Sequence, residues 1–144
     1  MAEIYVAGRT SMIEEVRIVQ SQCVAAGHTI THDWTTVVEE VGGAADEKHV
    51  PAKKQQEYAG WDMEGVHDAD LVIMVCGPNL CGTLIEFGMA LAWGKPIWIV
   101  GTPERESVFF HRSNVLRRGH IPMHKDDHGI LSMALRQLKQ YAER

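Results

Sequence analysis

The sequence predicts an α/β domain, a flavodoxin-like three-layer sandwich with a five-stranded parallel sheet and helices on both faces. Two continuous apolar runs, LVIMV at residues 71–75 and PIWIVG at 96–101, read as strands covered on both sides. Stretches of helical spacing alternate with the strand-like ones, which calls for right-handed crossovers between parallel strands. No Ser/Gly- or Pro-rich linker divides the 144 residues, so 1–144 forms one domain with one core.

The elements follow in order. EIYVA at residues 3–7 is short and β-prone, and Gly8 breaks it. Ser11 is placed to cap a helix whose apolar residues Met12, Val16, Val19, Cys23 and Ala26 fall at four-three spacing, with Gly27 ending it. TITH at 29–32 is the second strand, and the polar, Gly-bearing text of 33–48 reads as a mobile excursion with a short helical piece. Pro51 suits the start of a helix that runs up to the strand at 71–75. Gly82 and Thr83 open the next helix, Gly94 closes it, and the strand at 96–101 follows. A loop from 102 to about 118, a short strand near 120–123 and an amphipathic helix from about 126 complete the chain. Strand order 2-1-3-4-5 fits this pattern, with a ligand site at the carboxyl ends of the strands.

Composition removes several function classes. A net charge of -5 gives no basic face for duplex nucleic acid. The start, MAEIYVAG, has no basic n-region and no long apolar h-region. The longest apolar stretch, 71–93, is interrupted by Gly77, Pro78, Asn79 and Glu86. The expectation is a cytoplasmic chain with no membrane span. Cys23, Cys76 and Cys81 are odd in number and form no C-x-x-C pair, so neither a disulfide framework nor a zinc knuckle follows. His120, His124 and His128 recur every fourth residue, but Pro122 spoils the helix such metal ligands would need. The expectation is no metal and no cofactor.

Between Asp70 and Lys95 the one charged residue is Glu86, in the second turn of an almost wholly apolar helix expected to be largely buried. A buried carboxylate is expensive and is kept where it is paired or functional. The helix start at Gly82 and Thr83 favours its ionised form, and such a carboxylate is a good nucleophile for an electrophilic sugar carbon; a structural ion pair with an arginine is the alternative. Asp62 is the second carboxylate of interest, on the edge of an inward arc made by Ala59, Met63 and Val66. Cleavage at an anomeric carbon uses two acidic groups, one at the carbon and one for the leaving group's proton, and Glu86 with Asp62 can supply them. Gly8, Arg9, Thr10 and Ser11 can hold an anion on backbone N–H groups and hydroxyls, or can form a simple turn and cap. Four of the eight arginines, Arg105, Arg112, Arg117 and Arg118, fall in the loop after the fourth strand. They can close over a phosphate or base, pack against another subunit, or stay solvated.

IYVAG at the first strand, WDMEGVHDADLVIMV, and GTLIEFGMALAWGKPIWIVG together resemble the nucleoside 2-deoxyribosyltransferase superfamily, which includes 2'-deoxynucleoside 5'-phosphate N-hydrolases. The resemblance implies that Glu86 attacks C1' to form a glycosyl-enzyme, and that Asp62 orients the nucleophile and protonates the departing base. It places Tyr5 beside the sugar and Gly8, Arg9, Thr10 and Ser11 along the pocket, with Gly82 and Thr83 at the helix start. It also implies a small-molecule nucleoside or nucleotide substrate and a homodimer or larger homo-oligomer whose adjoining subunit completes the pocket. Where the transferases carry an aspartate six residues before the glutamate, and the phosphate-preferring hydrolases a serine, this chain has Leu80. Asn79 next to it, or Arg9, Arg112 or Arg117, then becomes a candidate for substrate phosphate, and transfer versus hydrolysis stays open. The rival reading is a non-catalytic nucleotide-binding or sensing module.

Overall fold

A computed structural model describes residues 1–42, 50–121 and 130–142. Its strands are β1 Glu3–Ala7, β2 Thr29–Ile30, β3 Leu71–Val75, β4 Ile97–Val100 and β5 Val115–Arg117. All pair in parallel, in the order β2-β1-β3-β4-β5. The helices are α1 Ile13–Ala25, α2 Trp34–Glu40, α3 Ala52–Asp68, α4 Gly82–Ala92 and α5 Ile130–Ala142. The predicted three-layer α/β architecture and strand order are those observed.

The central strands are apolar because both of their faces are covered. Every residue of β3 and β4 is buried, and Ile4, Tyr5, Val6 and Ala7 of β1 join them in one core. Register is parallel throughout, with Tyr5 opposite Val72 and Val72 opposite Ile97. Each fully buried branched side chain there contributes roughly 1.5–3 kcal/mol. The chain leaves β1 towards β2 in one direction and reaches β3 and β4 in the other. Right-handed crossovers therefore place α1 on one face and α3 with α4 on the opposite one. Contacts agree, since α1 packs with α5 and α3 with α4. The reversal falls between β1 and β3, where an open parallel sheet forms a crevice at its carboxyl edge.

Several local expectations are corrected. Ser11 does not cap α1: a 3-10 turn at Thr10–Met12, closed by the Met12 N–H on Arg9 O at 2.9 Å, precedes the helix, and no side chain caps it. β2 is two residues rather than four, because Thr31 Oγ1 turns to Gly65 O at 2.7 Å and the chain leaves the sheet. The short helical piece expected within 33–48 is α2, started by Asp33 accepting from the Thr35 N–H, and residues 43–48 lie outside the described residues. The fifth strand is Val115–Arg117, not 120–123. An edge strand needs little apolar surface, and here Val115 alone is buried while Leu116 and Arg117 are exposed, so an Arg-rich text conceals it. Residues 122–129, including His124, His128 and the expected start of the last helix, lie outside the described residues. The inward face of α3 is Asp62, Gly65 and Val66 rather than Ala59, Met63 and Val66, and Ala59 and Met63 are exposed. Helix α4 is not largely buried: Thr83, Phe87 and Ala90 are, but Leu84 and Ile85 are 42% and 64% exposed. No helix among the described residues is long and apolar enough to cross a membrane.

Candidate active site

A cleft of about 320 Å³ opens at the carboxyl edge between the loops after β1 and β3. Gly8, Arg9, Thr10, Trp34, Asp62, Cys81, Gly82, Thr83 and Glu86 line it. Each wall has a local cause. Gly8 lets the β1 loop lie on α1, because a Cβ there would stand 2.3 Å from Val16 Cγ2. Arg9 ties this loop to the next, donating from Nη1 to Pro78 O at 3.2 Å. Trp34 donates from Nε1 to Val6 O at 2.8 Å, taking a β1 carbonyl that the short β2 never reaches. The start of α4 brings its partial positive charge to the cleft wall at Cys81, Gly82 and Thr83, and the N-cap residue Cys81 makes no side-chain cap.

Glu86 projects from the second turn of α4 beside the buried Tyr5 of β1. Its Oε2, the Tyr5 hydroxyl and Thr83 Oγ1 are buried and find no hydrogen-bond partner of good geometry among the described residues. Glu86 and Tyr5 nevertheless feel one another electrostatically. Buried polar atoms are normally satisfied, so three orphans on adjoining elements mark a place prepared for a polar ligand. Burial pushes the Glu86 carboxyl up to about 8; the Tyr5 hydroxyl pulls it down and the charge of Asp62 raises it. Desolvation therefore outweighs the helix N-terminus, and the expectation of an ionised resting carboxylate is corrected: at neutral pH the unliganded Glu86 is largely protonated. Tyr5 is itself driven far above the usual phenol range, by burial first and then by Glu86 and Asp62, and it remains a neutral hydroxyl.

Asp62 reaches the cleft from α3. Its Oδ1 lies 3.3 Å from Nε2 of His32, the residue two places past the end of β2. The structural ion-pair alternative for Glu86 finds no support, since no arginine partners it among the described residues.

Glu86, Asp62, Gly8, Arg9, Thr10, Gly82 and Thr83 thus share one cleft, with Tyr5 packed beside Glu86. Ser11 sits in the 3-10 turn outside its lining. Asn79 and Arg112 are elsewhere, on a larger cavity of about 870 Å³ across α4, with Leu80, Leu84, Phe87, Leu91, Phe109 and Phe110. That cavity is mainly apolar, and the two candidate carboxylates, Glu86 and Asp62, line the smaller one. The four arginines of the loop do not reach the smaller cleft: Arg105 and Arg112 line the larger cavity, Arg117 pairs with Glu106, and Arg118 lies 4.9 Å over the Trp98 ring. Sequence reasoning missed His32, Trp34 and Cys81 as site residues. The signal for the first two was weak, because both lie just past the end of the two-residue edge strand β2, whose end is set by tertiary hydrogen bonds.

An open parallel sheet with paired carboxylates in its switch-point crevice defines an α/β domain built for a small polar ligand. The chain belongs to the nucleoside 2-deoxyribosyltransferase family, whose model matches residues 4–133. Among solved structures it is similar to the CMP N-glycosidase BcmB of Clostridium botulinum, with 18% identity, a TM-score of 0.57, and coverage of 96% of this chain and 98% of that one. Among curated proteins no significant match is found.

Proposed function

We propose that the chain cleaves the N-glycosidic bond of a nucleoside or nucleotide of the deoxy series. Glu86 attacks the anomeric carbon, the C1'–N bond breaks, and Asp62 gives a proton to the departing base. The resulting Glu86 ester is then opened by water or by a second base. What carries this reading is the buried, unpaired Glu86 oxygen facing a cleft it shares with Asp62. Family membership supplies the reaction class, and the CMP N-glycosidase neighbour shares the fold.

The raised Glu86 pKa fits this chemistry. The reacting form is the carboxylate, its proton released to solvent before the attack, and the burial that makes this form costly also leaves its charge poorly screened against the cationic sugar carbon that develops beside it. The Tyr5 hydroxyl, neutral and without another partner, is placed to donate to that carboxylate. Arg9 and Thr10 at the mouth are the groups suited to a 5'-phosphate. The chain acts as a homodimer or larger homo-oligomer, since Leu84, Ile85, Val108 and Phe109 together expose an apolar surface that a second copy would cover.

The test is incubation with a panel of nucleosides and nucleotides, with and without a second free base, following base release and exchange. Release alone identifies a hydrolase, and exchange with little release a transferase. Binding without either, in intact protein, identifies the non-catalytic sensing module that Leu80 makes the rival.

A further inference from the structure

His32 is held against Asp62 by its surroundings. Its side chain is 20% exposed, and its Nε2 faces Asp62 Oδ1 at 3.3 Å. The neighbouring Thr31 hydroxyl is anchored on Gly65 O at 2.7 Å, fixing the backbone just before it. Gly65 permits this approach: a Cβ there would lie 2.8 Å from His32 Cβ and 2.9 Å from the Tyr5 ring. On the outer side the Trp61 ring tilts over the imidazole with centroids 6.3 Å apart, and Tyr58 leans on Trp61 at 5.5 Å. The segment after β2 and helix α3 therefore hold one imidazole whose Nε2 meets the carboxylate.

We propose that His32 is the positioning residue of Asp62. Its Nε2–H donates to Oδ1, locks the carboxylate rotamer, and leaves Oδ2 directed at the nitrogen of the departing base. This rests on the reading of Asp62 as the acid. Without the imidazole, Asp62 has free torsions on a partly exposed helix face and no other ion-pair partner among the described residues. A misplacement of about 1 Å at a reacting group costs on the order of a hundredfold in rate. The donation does not need a charged imidazole, since a neutral ring protonated on Nε2 serves equally. The other charged groups nearby leave the pairing intact. Asp33, the next residue, turns to Gln20 and Thr35, and Glu86 on α4 faces Tyr5 and the far side of the cleft.

The experiment compares His32→Leu and His32→Gln with the wild type. His32→Leu is expected to lower kcat about ten- to a hundredfold with KM changed less than about threefold and Tm within a few degrees. His32→Gln, whose amide N–H extends about as far, restores most of the loss. An unchanged kcat in His32→Leu, a loss confined to KM, or a glutamine variant as damaged as the leucine one overturns the proposal. A second measurement needs no turnover. In wild type, proton NMR should show a downfield imidazole N–H signal of His32 that vanishes in Asp62→Ala. Persistence of that signal in the variant overturns the pairing even in an active enzyme. Inactivity of the wild type across the substrate panel, with the signal behaving as expected, instead retires the glycosidase reading and keeps the pairing.

Discussion

Glu86→Gln removes the charge but keeps the shape, so it isolates what burial does to this carboxyl. In the unfolded chain the group titrates near 4.5, and in the folded cleft burial carries it to about 8. Between those values the folded protein holds a proton that the unfolded chain has released. Stability therefore falls as pH rises from about 4.5 to about 8 and stays low above it. At about 1.4 kcal/mol per pH unit, this amounts to as much as roughly 5 kcal/mol lost between pH 4.5 and 9, reduced by whatever water enters the cleft. The glutamine variant lacks this loss. Urea unfolding of both proteins at pH 5 and pH 9, under reducing conditions, gives the difference directly. Wild type should lose roughly 2–4 kcal/mol more than the variant between the two pH values. Parallel losses in the two proteins would show that Glu86 is neither desolvated nor raised, and the chemical argument built on it would fall with that result.

Other outcomes follow from the same geometry. Because Glu86 must be ionised and Asp62 protonated in the same reacting complex, kcat/KM should be bell-shaped with one limb at about 8, and a flat profile from pH 6 to 9 contradicts this. Asp62→Asn should lower kcat by about 100-fold or more while substrate binding, followed by calorimetry, changes little; an unchanged rate returns Asp62 to a surface role. Gly65→Ala forces a methyl against His32 and the Tyr5 ring, and should destabilise by about 1–3 kcal/mol in thermal melts, with activity falling further than stability alone explains. Ile85→Asp, on the exposed apolar side of α4, should shift light-scattering mass towards the monomer; an unchanged mass removes that face from the interface.

The central strands were legible in the sequence because burial on both faces leaves no room for polar residues. Leu71–Val75 and Glu3–Ala7 coincide with the expected ranges. β5 was not legible, since an edge strand with one buried residue has no periodicity to display. The lone charge of α4 was visible at once, but its environment was misjudged. An apolar helix was read as buried, whereas Leu84 and Ile85 face outward, and the apolar content serves a surface. Asp62 was singled out from the wrong arc of α3: the glycine at 65, a residue with no side chain to count, marks the true inward face. His32 and Trp34 escaped notice because their roles depend on where a two-residue strand stops, and strand ends are set by tertiary hydrogen bonds such as Trp34 Nε1 to Val6 O.

The most direct test of Glu86 as nucleophile is to trap the glycosyl-enzyme. A nucleoside substrate carrying fluorine at C2' of the sugar slows the second step by destabilising positive charge at C1', so the ester accumulates. Intact-protein mass spectrometry should show a gain equal to one fluorinated sugar, mapped by peptide analysis to Glu86 and missing from Glu86→Gln. Base release from the analogue with no covalent gain, or a gain on any residue other than Glu86, contradicts the mechanism.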